Sequence, residues 1–269
     1  MDVISCRRFT KEVAMKVIAK WKRACAWSLV AGLSVMQPAT AAAADVTVLV
    51  NGSFNAYPPW MDDWSPEFSA IANTFGYPPI QFRWFDNEAV YPPFYGGIFN
   101  GAFALASFLN GIGGDNLNLI AHSHGGNVVK IASYYLSRPF RHLIHLGTPV
   151  NWDLYPLGGY AYSFCQVSSY TDYVQFGGSS PWQVGNFGYE QYLAARFFFD
   201  AGEAAFNGDW DLFAYYMAEG AYHEAQANYW WLSTKLEWYA ANYMFGGESH
   251  GDLHEPPVWY AIRNQCALN

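Results

Sequence analysis

Residues Leu117-Asn118-Leu119-Ile120-Ala121 form an apolar run with a single polar interruption, and it stops abruptly at His122-Ser123-His124-Gly125-Gly126. A helical pattern follows at once through Val128, Val129, Ile131, Ala132 and Leu136. An apolar strand, a tight turn of small residues and a helix leave a chain few choices. The strand must be buried on both faces, as in a parallel sheet. The pattern Ala-x-Ser-x-Gly is the sequence form of a nucleophile elbow, with Ala121 in the first glycine position. A serine on such a turn has strained backbone angles, and only small residues fit two positions either side. The helix behind it offers free N–H groups and the positive end of its dipole to an oxyanion.

The rest of the chain supplies further strands and helices at matching spacing. Val46–Val50 is short, apolar and β-branched. A helix is predicted near Pro66–Phe75, and Ile80–Phe85 alternates as a strand. Phe99, Phe103, Ala106 and Leu109 keep helical spacing. Leu143–Leu146 and Tyr162–Val167 read as two more strands. Strands alternating with helices imply an α/β fold, a mostly parallel central sheet with helices on both faces. Gly111, Gly113 and Gly114 precede a strand rather than follow one, so a phosphate-cradling loop is not expected.

Residues 1–44 do not belong to that fold. Seven basic residues between Arg7 and Arg23, an apolar run from Ala24 to Met36, and an Ala-x-Ala stretch ending at Ala44 make a secretory signal peptide. The catalytic domain is then 45–269. The first 43 residues carry those seven basic groups against Asp2 and Glu12, so the remainder holds seven basic and twenty acidic residues, net −13. Such a surface repels phosphate backbones and excludes nucleic acid as a partner. A secreted chain meets oxidising conditions, where Cys165 and Cys266 are either a disulfide or two buried thiols.

Residues 182–246 differ in character: 20 of these 65 residues are Phe, Tyr or Trp. Asp209 is a predicted N-cap for a helix through Trp210, Phe213 and Met217. A second helix is predicted through Tyr229, Leu232, Leu236, Tyr239 and Tyr243, with Trp231 and Trp238 on another face. The expectation is a helical cap or insert. Its aromatic surface, with Trp231 and Trp238, together with Phe54 in the loop after the first strand, would hold an apolar acyl group.

A serine hydroxyl is a poor nucleophile at neutral pH. It needs a base, and the base needs a carboxylate to fix its tautomer. Asp172 follows the strand at 162–167, with Asp153 as the rival acid. His250 lies ahead of the last predicted helix, which starts at or just after Pro256 and Pro257, with His254 as the rival base. His122 and His124 flank the serine, and on such a turn their side chains are expected to point away from it. His142, His145 and His223 read as structural. The His-Ser-His cluster lacks metal-ligand spacing, so neither metal nor cofactor is expected.

With these residues in place, the chain resembles the α/β-hydrolase family, most closely its secreted bacterial lipases and esterases. The resemblance covers most of residues 45–180 and again about 247–265. Val50-Asn51-Gly52-Ser53 is similar to the family's strand ending in His-Gly, with Asn51 in place of His. Leu146-Gly147-Thr148-Pro149 resembles the lipases' Thr-Pro loop, and His250-Gly251-Asp252-Leu253-His254 their histidine loop. The chain order Ser123, Asp172, His250 is the family's order. The resemblance implies an oxyanion hole from the backbone N–H groups of Ser53 and His124. It further implies a serine ester hydrolase working through an acyl-enzyme, on a small-molecule or lipid ester, with transient contact to a lipid interface. Two alternatives stay open: a polyester or amide hydrolase, and a non-catalytic binder of apolar ligands on the same fold.

Overall fold

The computed structural model describes residues 45–53, 57–84, 96–114, 116–151, 157–159, 161–237, 240–264 and 266. The predicted signal segment 1–44, Phe54, Asp153 and Trp238 lie outside the described residues.

Among the described residues six strands form one sheet: β1 (Val46–Val50), β2 (Ile80–Phe82), β3 (Leu117–His122), β4 (Phe140–Leu146), β5 (Ala161–Ser169) and β6 (Ala241–Phe245). Their order is β2-β1-β3-β4-β5-β6, and every pairing is parallel. The helices are α1 (Pro66–Phe75), α2 (Gly96–Gly111), α3 (Gly125–Ala132), α4 (Tyr173–Gly177), α5 (Pro181–Phe206), α6 (Trp210–Ser233) and α7 (Pro256–Ile262). The fold class is the one expected: an α/β protein with a parallel sheet covered on both faces.

Period-two alternation along the strands divides the core in two. Val48 and Val50 of β1, with Leu117, Leu119 and Ala121 of β3, face α2 and α3. Leu49, Ile120, Ile144 and Leu146 face α1 and α7, where Trp259 is fully buried. Local chemistry sets several helix ends. Ser65 caps α1 by accepting from the Phe68 N–H at 3.0 Å, with Pro66 at the first helical position. Asp209 caps α6 as predicted, accepting from the Leu212 N–H at 3.1 Å. Ser180 and Gln183 form a capping box at the start of α5.

One expectation of secondary structure is overturned. No helix runs from Tyr229 to Tyr243: α6 ends at Ser233, and Tyr243 belongs to strand β6. Tertiary partners override the helical spacing. Lys235 is buried and donates to the Asp172 carbonyl at 2.6 Å. Glu237 accepts from Lys130 of α3 at 2.7 Å, with the lysine 1% exposed. Asn242 then clasps the turn, accepting from the Glu237 N–H and donating to its carbonyl, both at 2.8 Å. The 182–246 stretch is therefore two helices followed by the last strand of the sheet.

Cys165 of β5 and Cys266 are disulfide-bonded, with their Cα atoms 5.9 Å apart. This ties the C-terminal segment after α7 to the sheet. Among the described residues no helix is long and apolar enough to cross a membrane.

Candidate active site

In an open parallel sheet, ligands bind beyond the carboxyl ends of the strands where the winding direction reverses. Here the reversal falls between β1 and β3, which run on into Asn51-Gly52-Ser53 and Ser123. Ser123 has φ 54°, among the described residues the only non-glycine at positive φ. Such a conformation costs on the order of 1–3 kcal/mol and persists only where the surroundings impose it. They do so here: the Ser123 N–H donates to the Leu146 carbonyl at 2.8 Å, pinning the turn to the end of β4.

The small residues around the serine each answer a specific crowding. A Cβ on Gly125 would overlap the Asn51 carbonyl, so the start of α3 can lie against the end of β1 only without a side chain. A Cβ on Gly126 would overlap the Thr148 side chain. A Cβ on Gly52 would sit 2.7 Å from the Ser123 Cβ, so the β1 loop passes directly beside the serine. This brings Ser53 to the same pocket as Ser123 and His124. His124 stands at the N-terminus of α3, where backbone N–H groups are free of helix partners.

Asp172 is 1% exposed, and each of its carboxylate oxygens has a partner. Oδ1 accepts from the Gln175 N–H at 2.8 Å, which caps α4. Oδ2 lies 2.7 Å from Nδ1 of His250. With a proton on Nδ1 donated to that oxygen, the other ring nitrogen is left as an acceptor. His250 rests on Gly147, which adopts φ +61°; a Cβ there would lie 3.0 Å from His250 Nδ1. The carboxylate meets His250 rather than His254. His254 stacks on Trp60 with ring centroids 5.2 Å apart, and burial holds its pKa down at about 4.

Ser123, His250, Ser53 and His124 line one pocket of about 440 Å³, walled by Pro58, Pro59, Trp60 and Val174. Among the described residues no Ser123–His250 hydrogen bond is formed. Serine–base contacts commonly tighten only once substrate is bound.

The flanking histidines do not point away from the site as expected. Both His122 and His124 line the pocket. Nε2 of His122 lies 2.9 Å from the His250 carbonyl, and their rings are 4.7 Å apart. Burial, helped by the neighbouring His250 and His254, keeps His122 well below the ordinary histidine range, so it is neutral and donates to that carbonyl. Burial likewise holds His124 at about 4, and its Nδ1 lies 3.1 Å from the Asn127 amide nitrogen. Lys235 is a second residue that sequence reasoning did not place at the site. Its ammonium donates to the Asp172 carbonyl and lies 4.7 Å from the Trp231 ring. Burial brings its pKa down to about 8 against the opposing pull of Asp172. The local sequence does not show where the His122 and Lys235 side chains go, because their partners lie 128 and 63 residues away.

Trp231 is 7% exposed and does not line the pocket. It donates to the Tyr170 carbonyl at 3.2 Å and packs among Tyr173, Phe176 and Phe187. Among the described residues no group of three or more His, Cys, Asp or Glu is placed to hold a metal ion.

No protein-family model and no curated protein matches the chain. Sixteen chains of solved structures match it, among them two hydrolases. One is described as a YdeN-like hydrolase from Pectobacterium atrosepticum, 13% identical, covering 83% of this chain and 90% of that one, with a TM-score of 0.43. The other is MGS-M2, an alpha/beta hydrolase enzyme from a Medee basin deep-sea metagenome library. It is 10% identical and covers 81% of this chain and 87% of that one, with a TM-score of 0.35. Likenesses this distant say nothing about chemistry.

Proposed function

We propose that this protein is a secreted serine hydrolase of carboxylic esters, with Ser123 as nucleophile, His250 as general base and Asp172 as its orienting acid. One observation carries the reading: a serine held at φ 54° on a strand-to-helix turn shares a pocket with a histidine bonded to a buried aspartate. Ser123 Oγ attacks the ester carbonyl while His250 Nε2 takes its proton. The tetrahedral oxyanion is met by the N–H groups of Ser53 and His124. Collapse expels the alcohol, protonated by His250, and leaves an acyl-serine. Water, deprotonated by His250, then releases the acid.

The substrate reading rests on the pocket wall. Trp60, Pro58, Pro59 and Val174 favour an apolar acyl group. Among the described lining residues none is lysine or arginine, and Glu67 stands at the wall, which disfavours an anionic acyl chain. The disulfide is consistent with an oxidising destination. The test is hydrolysis of a p-nitrophenyl ester series, together with fluorophosphonate labelling. Labelling is expected at Ser123, and Ser123→Ala is expected to lose turnover by on the order of a million-fold. An alanine variant that keeps most of its activity refutes the mechanism.

A further inference from the structure

Helices α5 and α6 pack against each other along their lengths. Their shared face uses Ala194, Ala201, Ala204, Gly220 and Ala227, and a Cβ on Gly220 would meet Phe198 at 2.6 Å. The opposite face of α5 is covered by nothing in the described chain. It exposes Trp182 (66%), Tyr189 (60%), Tyr192 (61%), Phe199 (74%) and Phe206 (91%).

The spacing of that face is informative. Trp182, Tyr189, Arg196 and Glu203 recur every seven residues, and so do Gly185, Tyr192, Phe199 and Phe206. Together they alternate by three and four along 26 residues, or about 39 Å, which is the seam of a coiled coil rather than a broad amphipathic face. Beside the seam runs another sevenfold row, Gly188, Ala195 and Gly202, all exposed. Glycine inside a helix is unfavourable, and a Cβ at Gly185, Gly188 or Gly202 would meet nothing within 4 Å. The fold of one chain therefore gives no reason for these glycines. A second helix lying close against the face does.

We infer that α5 pairs antiparallel with α5 of a second copy of this chain, forming a twofold dimer. Antiparallel pairing sets the first seam row against the second. With full overlap this matches Trp182 with Phe206, Tyr189 with Phe199, and Arg196 with Tyr192 of the other copy. The contacts are aromatic pairs, a cation over a ring, and Glu203 beside Gly185 at the fourth layer, each made twice by the twofold axis. The same register brings Gly188 near Gly202 of the other copy, and Ala195 within two residues of its own counterpart, so the flank that must close is the one without bulk. Five half- to nine-tenths-exposed aromatics bury roughly 500–900 Å² per copy, on the scale of a standard interface of about 800 Å² per partner. The outer tyrosines of α6, Tyr215, Tyr222 and Tyr229, stay on the solvent side, which their hydroxyls suit.

The mass of the purified protein, measured by light scattering across a concentration series, tests this without reference to activity. A dimer is expected, and Phe199→Asp is expected to give a monomer with an unchanged circular dichroism spectrum. Register is read by single cysteines. Ala195→Cys lies near the axis and should crosslink two copies under mild oxidation, above the level of the unmodified protein. Phe206→Cys lies about 36 Å from its own copy in this register and should not. A monomer at all concentrations overturns the inference, as does a dimer indifferent to Phe199→Asp. Equal crosslinking at both positions overturns the antiparallel register. A monomer that floats with phosphatidylcholine vesicles would give the face to lipid and also overturns it.

Discussion

His250 is held by three contacts from three different parts of the chain: Asp172 on Nδ1, His122 on its carbonyl, and Gly147 beneath its ring. Gly147 takes φ +61°. An alanine there must adopt a left-handed conformation, which costs about 1–2 kcal/mol, and its methyl would press on the imidazole. Gly147→Ala is expected to lower kcat on p-nitrophenyl esters with KM little changed, and to lower the melting temperature by a few degrees. Unchanged kcat would mean that His250 does not depend on this seat. The comparison of His250→Ala with His254→Ala follows the same logic. The first should abolish turnover and the second reduce it only modestly, since His254 stacks on Trp60 and it is His250 that meets the carboxylate. Inactivity of the His254 variant alone would transfer the role.

The link between α6 and β6 is the least local part of the fold. It is built on a buried ion pair from Lys130 on α3 to Glu237. Burial lowers the Lys130 pKa and Glu237 opposes that. Removing one partner of a buried pair leaves an uncompensated charge and typically costs about 3–5 kcal/mol. Glu237→Ala is therefore expected to lower stability by about that much in urea unfolding. The double variant Lys130→Met, Glu237→Leu should recover much of the loss, because it removes both charges and restores apolar volume. A single variant as stable as the parent would show that the pair contributes nothing net. Helix α5 is the opposite case: its capping box and its heptads are written in consecutive residues, and its outer aromatic face is left exposed by the described chain.

At the scale of the whole molecule, two features govern the conditions under which the fold survives. The Cys165–Cys266 disulfide closes a sequence separation of 101 residues, for which loop-closure entropy is on the order of 4–5 kcal/mol. Reduction, or Cys266→Ser, is expected to lower the melting temperature clearly. The second feature is a set of buried neutral histidines. Burial lowers His122, His124, His145 and His254, the second and last to about 4. Above about 6.5, the ordinary imidazole value, folded and unfolded states are both neutral at these sites. As pH falls from there toward about 4, the unfolded chain binds protons that the folded chain refuses, so stability falls with pH. Melting temperatures at pH 7.5 and pH 5 test this, with the lower value expected at pH 5. Equal values would mean these rings are not held neutral by burial.

The sequence alone determined the features that depend on neighbours in the chain. The apolar runs gave five of the six described strands, Pro66 and Asp209 marked helix starts, and Ala121-His122-Ser123-His124-Gly125 gave the turn whose serine carries the strain. These are short-range facts: period, capping and the exclusion of bulk. Helical spacing near Tyr243 misled for the same reason, since it carries no record of where Lys235, Glu237 and Asn242 find their partners. The tertiary structure alone decided that this stretch becomes the edge strand of the sheet. It also decided that His122 turns to the His250 carbonyl, and that Asp172 divides its two oxygens between a helix cap and an imidazole. Each of those outcomes satisfies a buried polar group with a partner between 3 and 128 residues away. Desolvation fixes the need for such a partner, and only the packed sheet fixes which one is within reach.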